Sequence, residues 1–200
     1  MHTGKYNYNT AATAFFILAC LTIPATLVAI IFRGNVMANV VVSLISYITY
    51  IYCMVVFQDV AQKKFGERFN LTYIKILIYS SVLGIVLSPF HSGEPEIRGL
   101  ADIIALLIGL IAGITSLLFG VHILDLKNQL AEKDLSIWKT YAILNICVGA
   151  MTCSIILIFI VPLAVIPLYI VSGLILKRES HQSYEGDSYG GSDDEQSVDI

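Results

Sequence analysis

The strongest constraint on the fold is a stretch of 37 residues, positions 140 to 176, that contains no charged side chain. As one helix it would be about 55 Å long, whereas the hydrocarbon core of a bilayer is about 30 Å thick. The stretch therefore has to turn. Pro162 and Pro167 are natural breaking points, because proline removes a helical hydrogen bond. We predict two membrane spans here, over residues 139–158 and 161–176.

Four more apolar runs precede this stretch. They cover residues 11–32, 38–57, 72–90 and 100–124, and a span needs about 20 apolar residues. Only 14% of the chain is charged, against about 25% in a typical soluble domain. The sequence thus predicts an all-α, polytopic transmembrane helical bundle with six spans, or with five if residues 140–176 cross only once.

The distribution of basic residues bears on the number of spans. With six spans and a cytoplasmic N-terminus, ten of the 12 Lys and Arg residues lie on the cytoplasmic side, and only Arg33 and Arg98 lie outside. With five spans, Lys177 and Arg178 also move outside. The positive-inside rule therefore favours six spans in the cell membrane, with both termini cytoplasmic.

The end of the chain differs in composition from the rest. Residues 179–200 carry seven acidic side chains and no Lys or Arg. A segment rich in Ser, Gly, Asp and Glu cannot bury enough apolar surface to fold alone. We predict a transmembrane domain over residues 1–178, followed by a disordered acidic cytoplasmic tail over residues 179–200.

One side of the second span is polar. Its members are spaced by three or four residues and share one helical face; they are Asn39, Ser43, Ser46, Tyr47 and Tyr50. A polar stripe in a membrane helix avoids lipid, so this face should point into the bundle. It is either the lining of a polar pathway or a set of interhelical hydrogen bonds.

The fourth and fifth spans carry small residues at helical spacing, which allow helices to approach closely. The set comprises Gly109, Gly113, Ser116 and Gly120 in the fourth span, and Asn145 and Gly149 in the fifth. These faces are predicted to pack, either within one chain or between chains.

Charged side chains near the membrane ends are few. Asp102 lies near the start of the fourth span, and His122 and Asp125 lie near its end. His122 and Asp125 are spaced to form either a proton-linked pair or an ordinary interfacial pair. No catalytic motif, metal-ligand spacing or cofactor motif is present in the sequence.

The segment "FGVHILDLKNQLAEKDLSIWKTYAILNICVGAM", followed by "IVPLAVIPLYIVSGLILKR", resembles small multi-spanning prokaryotic membrane proteins of unknown function. The resemblance covers roughly residues 45–178. It implies a helical membrane bundle in a prokaryotic plasma membrane, and it transfers no site residue.

Two functions follow from these patterns. The first is a non-enzymatic scaffold or accessory protein that packs with a second copy or with another membrane protein. The alternative is a small transporter or channel whose polar pathway is lined by the second span. Both place the chain in a lipid bilayer, and neither involves nucleic acid.

Overall fold

The computed structural model describes residues 6–31, 35–92, 95–154 and 160–189. Within these ranges the chain forms long α-helices and no β-strand. The helices are α1 (Tyr8–Ile31), α2 (Val36–Phe65), α3 (Thr72–Leu87), α4 (Pro95–Asp125), α5 (Glu132–Cys153) and α6 (Val161–Tyr189). The predicted all-helical membrane bundle is confirmed.

Five of the described helices, α1 to α4 and α6, are long and apolar enough to cross a membrane. The helix α5 differs because its first turns contain Glu132, Lys133, Asp134 and Lys139. Its apolar part begins at Thr140 and leads towards residues 155–159, which lie outside the described ranges. A crossing by α5 therefore stays a prediction.

Several helices extend beyond the predicted apolar runs. The helix α2 continues past Phe57 to Phe65, and the added turns bury Val60 and Phe65. Gly66 follows with a φ of 62°, a left-handed conformation that glycine adopts without steric cost. At the start of α4, Pro95 occupies the first helical position, where its missing N–H costs nothing.

The two prolines of the last apolar block behave differently. The helix α6 begins at Val161, so Pro162 lies in its first turn, as the predicted break requires. Pro167 lies inside α6 and does not end it. In the turn after Pro167, Ser172 donates a hydrogen bond of 2.7 Å to the carbonyl oxygen of Leu168, four residues earlier in the helix.

The helix α6 does not end at Arg178, the predicted boundary of the membrane domain, but continues to Tyr189. The first of these extra turns has partners on α2. Glu179 forms an ion pair with Lys64 of α2 at 2.8 Å, and the amide of Gln182 accepts a hydrogen bond from the same lysine at 3.3 Å. The remainder of the predicted tail, residues 190–200, lies outside the described ranges.

The helices form a ring. Each packs against the next in sequence, and α6 packs against α1. Short connections make sequential helices antiparallel, so the start of α1 and the end of α6 lie at one end of the bundle. We call this the terminal end, and the end where α1 finishes and α6 begins the opposite end. Outward-facing Ile and Leu side chains of α4, such as Leu106 and Ile111, are about half exposed, as lipid contact requires.

Candidate functional site

All six helices line a central cavity of about 630 Å³. Its lining comes from positions 15–26 of α1, 42–54 of α2, 77–88 of α3 and the turn after it, 105–116 of α4, 141–152 of α5 and 161–172 of α6. These stretches lie in the later parts of α3 and α5, in the first part of α6, and near the middle of α1, α2 and α4. Because neighbouring helices are antiparallel, the cavity extends from the middle of the bundle towards the opposite end.

The described part of the cavity lining is polar but carries no ionic group. Fourteen lining side chains bear a hydroxyl group and one, Asn145, bears an amide. Among the described residues that line the cavity there is no Asp, Glu, Lys, Arg or His. The cavity therefore offers many hydrogen-bonding atoms and no formal charge.

Most of the polar stripe predicted on α2 faces this cavity. Its lining members are Ser43, Ser46, Tyr47 and Tyr50. The side chain of Asn39 lies outside the described part of the structure.

Two of these tyrosines are held by other helices. The Tyr47 ring lies over Gly84 of α3, where an added Cβ would come within 3.0 Å of the Tyr47 hydroxyl oxygen. The Tyr50 ring packs against Tyr169 of α6 with ring centroids 6.0 Å apart. Glycine at position 84 thus leaves space for Tyr47, and Tyr169 fixes the position of Tyr50.

The cavity hydroxyl groups fall into two classes. Those of Thr22, Ser81 and Thr152 donate to carbonyl oxygens four residues earlier in their own helices, at 2.8, 3.0 and 2.8 Å. The hydroxyl groups of Tyr47 and Tyr169, in contrast, have no hydrogen bond to any described residue. The second class is free to bind a molecule in the cavity.

The small residues predicted to pack on α4 and α5 pack against each other within the chain. A Cβ at Gly149 would lie 2.5 Å from the carbonyl oxygen of Gly113, and a Cβ at Gly120 would lie 2.5 Å from that of Ala142. Side chains therefore have no room at this crossing, and the backbones of α4 and α5 meet directly.

A buried polar pair joins the same two helices. Ser116 donates a hydrogen bond of 3.1 Å to the amide oxygen of Asn145, whose amide nitrogen donates to the Tyr141 carbonyl at 3.0 Å. Gly109 differs from the predicted packing role, because a Cβ there would meet no atom within 4 Å. Gly109 faces the cavity instead, beyond the point where α5 contacts α4.

Towards the terminal end, the cavity gives way to what we call the aromatic layer. This is a set of buried rings whose neighbouring centroids lie 4.9–6.5 Å apart: Phe15, Phe57, Phe65, Phe69, Phe119, Trp138 and Tyr141. Phe15 and Tyr141 also line the cavity and form the boundary between the two regions. Large rings packed at these distances leave little free space, so the layer closes the bundle on this side.

Beyond the aromatic layer, ion pairs join three helices at the terminal end. Lys64 of α2 lies 2.9 Å from Asp134 of α5 and 2.8 Å from Glu179 of α6. The Arg178 Nε lies 3.2 Å from Asp134 Oδ1, near enough for an ion pair but not aligned as a hydrogen bond. Asp134 is only 3% exposed, so its charge depends on these cations. We call Lys64, Asp134, Arg178 and Glu179 the ion-pair cluster.

The three charged or titratable residues singled out in the fourth span lie away from the cavity. Asp102 and Asp125 are exposed near the two ends of α4. The Nε2 atom of His122 accepts a hydrogen bond of 3.1 Å from the Asn70 backbone N–H, and its ring packs against Tyr73. No ion pair joins His122 to Asp125 within the described structure. None of the three lines the cavity.

Sequence reasoning missed important parts of the site. Ser80 and Ser81 of α3, Ser88 just after it, and Tyr169 and Ser172 of α6 also line the cavity. The signal was present, since these are polar residues inside apolar runs, but their spacing forms no stripe as regular as that of α2. The ion-pair cluster was missed because its members are far apart in sequence. Within the described residues, no group of three or more His, Cys, Asp or Glu side chains is placed to hold a metal ion.

The chain matches no protein-family model, no curated protein and no solved structure. The site therefore has to be interpreted from its own geometry.

Proposed function

We propose that this integral membrane protein is a small transport protein and that the central cavity is its solute-binding chamber. The observation that carries the proposal is the cavity itself, because all six helices contribute to its wall. Pockets that enclose a small-molecule ligand commonly have volumes of roughly 300–1,000 Å³, and this cavity has about 630 Å³.

The two ends of the cavity support the same interpretation. Its lining extends to Ser88, just after α3, and to Val161, the first residue of α6, so it reaches the opposite end of the bundle. At the other end it stops at Phe15 and Tyr141 of the aromatic layer. A chamber that reaches one end and is closed at the other is the arrangement expected of a transporter in one of its two access states.

A scaffold or accessory role stays a prediction, and the small-residue faces of α4 and α5 do not add to it because they contact each other within the chain. Gly113, Gly120 and Gly149 are occupied by the contact between α4 and α5 of the same chain, so their spacing no longer indicates a second protein. A homo-oligomer or a membrane-protein partner stays a prediction without a surface assigned to it.

The proposal is tested by measuring solute entry after filling the cavity. Purified protein is reconstituted into vesicles, which are mixed with isosmotic glycerol, urea, lactate or choline while light scattering follows their swelling. We expect at least one solute to enter faster than into protein-free vesicles. We also expect Gly109→Trp to abolish that difference, since residue 109 faces the cavity and no described atom lies within 4 Å of a Cβ added there.

The matched control is Gly99→Trp. Gly99 is also a glycine of α4 with no atom within 4 Å of an added Cβ, but it is not a lining residue of the cavity. The variant Gly99→Trp should therefore leave the rate of solute entry unchanged. If no solute enters faster than into protein-free vesicles, or if both variants behave alike, the proposed chamber is refuted.

A further inference from the structure

We propose that the central cavity selects uncharged, amphipathic organic molecules that carry hydroxyl or carbonyl groups, and that it rejects ions. This inference rests on the proposed function and specifies its substrate class.

The described part of the cavity wall offers no counter-charge to an ion. The described residues that line the cavity include no Asp, Glu, Lys, Arg or His. The ion-pair cluster of Lys64, Asp134, Arg178 and Glu179 lies on the far side of the aromatic layer, at the terminal end. An ion entering the cavity would lose hydration without gaining a counter-charge, a heavy penalty in a low-dielectric site. An uncharged molecule loses far less.

Polar and apolar side chains are distributed unequally around the cavity wall. Of the six lining residues on α2, four carry hydroxyl groups, and so do three of the six on α3 and the turn after it. On α4 only Ser116 does, beside Gly109 and Ala112, and the early turns of α6 offer Val165 and Leu168. A ligand that matches both surfaces has a polar edge towards α2 and α3 and an apolar body towards α4 and the first two turns of α6.

The cavity presents hydroxyl groups that are free to form hydrogen bonds with a ligand. The hydroxyl groups of Ser46, Tyr47 and Tyr169 line the cavity and have no hydrogen-bond partner among the described residues. A hydroxyl group both donates and accepts, so it can pair with an alcohol or with a carbonyl group. Hydroxyl groups can bind such a ligand without proton transfer and without a charged side chain.

The aromatic boundary of the cavity suits the apolar part of the same ligand. Phe15, Tyr50 and Tyr169 line the cavity, and their rings pack against one another at 5.9 and 6.0 Å through Tyr169. Aromatic faces bury large apolar area with little loss of side-chain entropy, so this end of the cavity binds carbon rings or chains well.

The test compares three probes that differ mainly in charge: benzyl alcohol, benzoate and benzylammonium, all at neutral pH. The full-length variant Ser46→Cys, in nanodiscs that expose both faces, is labelled with a water-soluble maleimide. The rate is corrected for labelling of the unsubstituted chain. A probe bound in the cavity slows the reaction at position 46. We expect benzyl alcohol to halve the labelling rate at a concentration at least about tenfold lower than either ion requires.

Two additional variants show whether protection is local. Adding Gly109→Trp should slow labelling of Ser46→Cys and remove the effect of benzyl alcohol, whereas adding Gly99→Trp should do neither. Equal or better protection by benzoate or benzylammonium would overturn the inference, as would no protection by benzyl alcohol. In both cases the proposed function survives if solute entry still responds to Gly109→Trp. A Ser46→Cys thiol that never reacts would count against the chamber itself.

Discussion

At the scale of single residues, glycines of α4 and α5 with the same helical spacing have opposite environments. A Cβ at Gly149 would lie 2.5 Å from the Gly113 carbonyl oxygen and 2.6 Å from the Leu117 backbone nitrogen. These are backbone atoms of α4, so no rotamer change can relieve the clash. A Cβ at Gly109 would meet nothing within 4 Å. The small-residue pattern identified both positions, but spacing alone cannot show where a neighbouring helix crosses.

We therefore expect Gly149→Ala to destabilise the protein by about 1–3 kcal/mol, as overpacking does in a close-packed core. Gly109→Ala should be neutral, or stabilising by up to about 1 kcal/mol, because alanine favours a helix over glycine. Denaturant unfolding of both variants in the same detergent, followed by circular dichroism, measures the difference. Equal effects of the two substitutions would show that α4 and α5 do not meet at this crossing.

At the scale of helices, the ion-pair cluster holds the terminal ends of α2, α5 and α6 together. Adjacent lysines of α2 differ sharply in this respect. The Lys64 side chain is 18% exposed and contacts two acids on other helices. The Lys63 side chain is 57% exposed and pairs with Asp59 of its own helix. Lys63 also donates a hydrogen bond to the Tyr8 hydroxyl group.

This contrast gives a matched pair of variants. Lys64→Met should cost about 2–3 kcal/mol, at or below the low end for breaking a buried ion pair, because Arg178 still faces Asp134. Lys63→Met should cost less than about 1 kcal/mol, as is usual for an exposed pair. The measurement is the free energy of unfolding of each variant relative to the unsubstituted protein. An equal loss of stability in the two variants would mean that the ion-pair cluster does not stabilise the helix ends.

Helix ends also show what the sequence could and could not predict. The apolar runs located all six helices, because hydrophobic length is a local property. They missed the turns of α2 beyond Phe57, which are amphipathic and bury Val60 and Phe65 while exposing Lys63. They missed the continuation of α6 to Tyr189 for a different reason. Its contacts with Lys64 join residues more than 100 positions apart, and no periodicity within one helix reveals such a contact.

At the scale of the whole molecule, the cavity arises from closure of the ring of helices. The stripe on α2 predicted one wall, since a polar helix face has to avoid lipid. The other walls depend on which helices become neighbours. Tyr169 of α6 meets Tyr50 of α2 because α6 returns to pack beside α1. The pattern of a single sequence specifies the faces of its helices, whereas the cavity depends on how those helices assemble.

The basic residues of the described helices lie mainly at one end of the bundle, as the positive-inside rule predicts for a cytoplasmic side. Basic residues concentrate at the terminal end, where α2 and α6 finish and α5 begins; among them are Lys63, Lys64, Lys133, Lys177 and Arg178. At the opposite end, the described helices carry Arg98 at the start of α4. If the terminal end lies in the cytoplasm, as this asymmetry favours, the cavity faces the outside of the cell.

The orientation predicts on which side of the membrane a cavity thiol reacts. Ser46→Cys should be labelled by a membrane-impermeant maleimide added to intact cells, and not when the reagent reaches only the cytoplasmic face of inverted vesicles. The neighbouring Ile45→Cys is the control, because Ile45 is 54% exposed on the lipid side of α2, where a thiol ionises and reacts poorly. Labelling of Ser46→Cys from the cytoplasmic face alone would reverse the orientation but keep the chamber. Equal labelling at the two positions would mean that the stripe on α2 does not face a separate aqueous space, and the hydroxyl groups of α2 would then serve only to join helices.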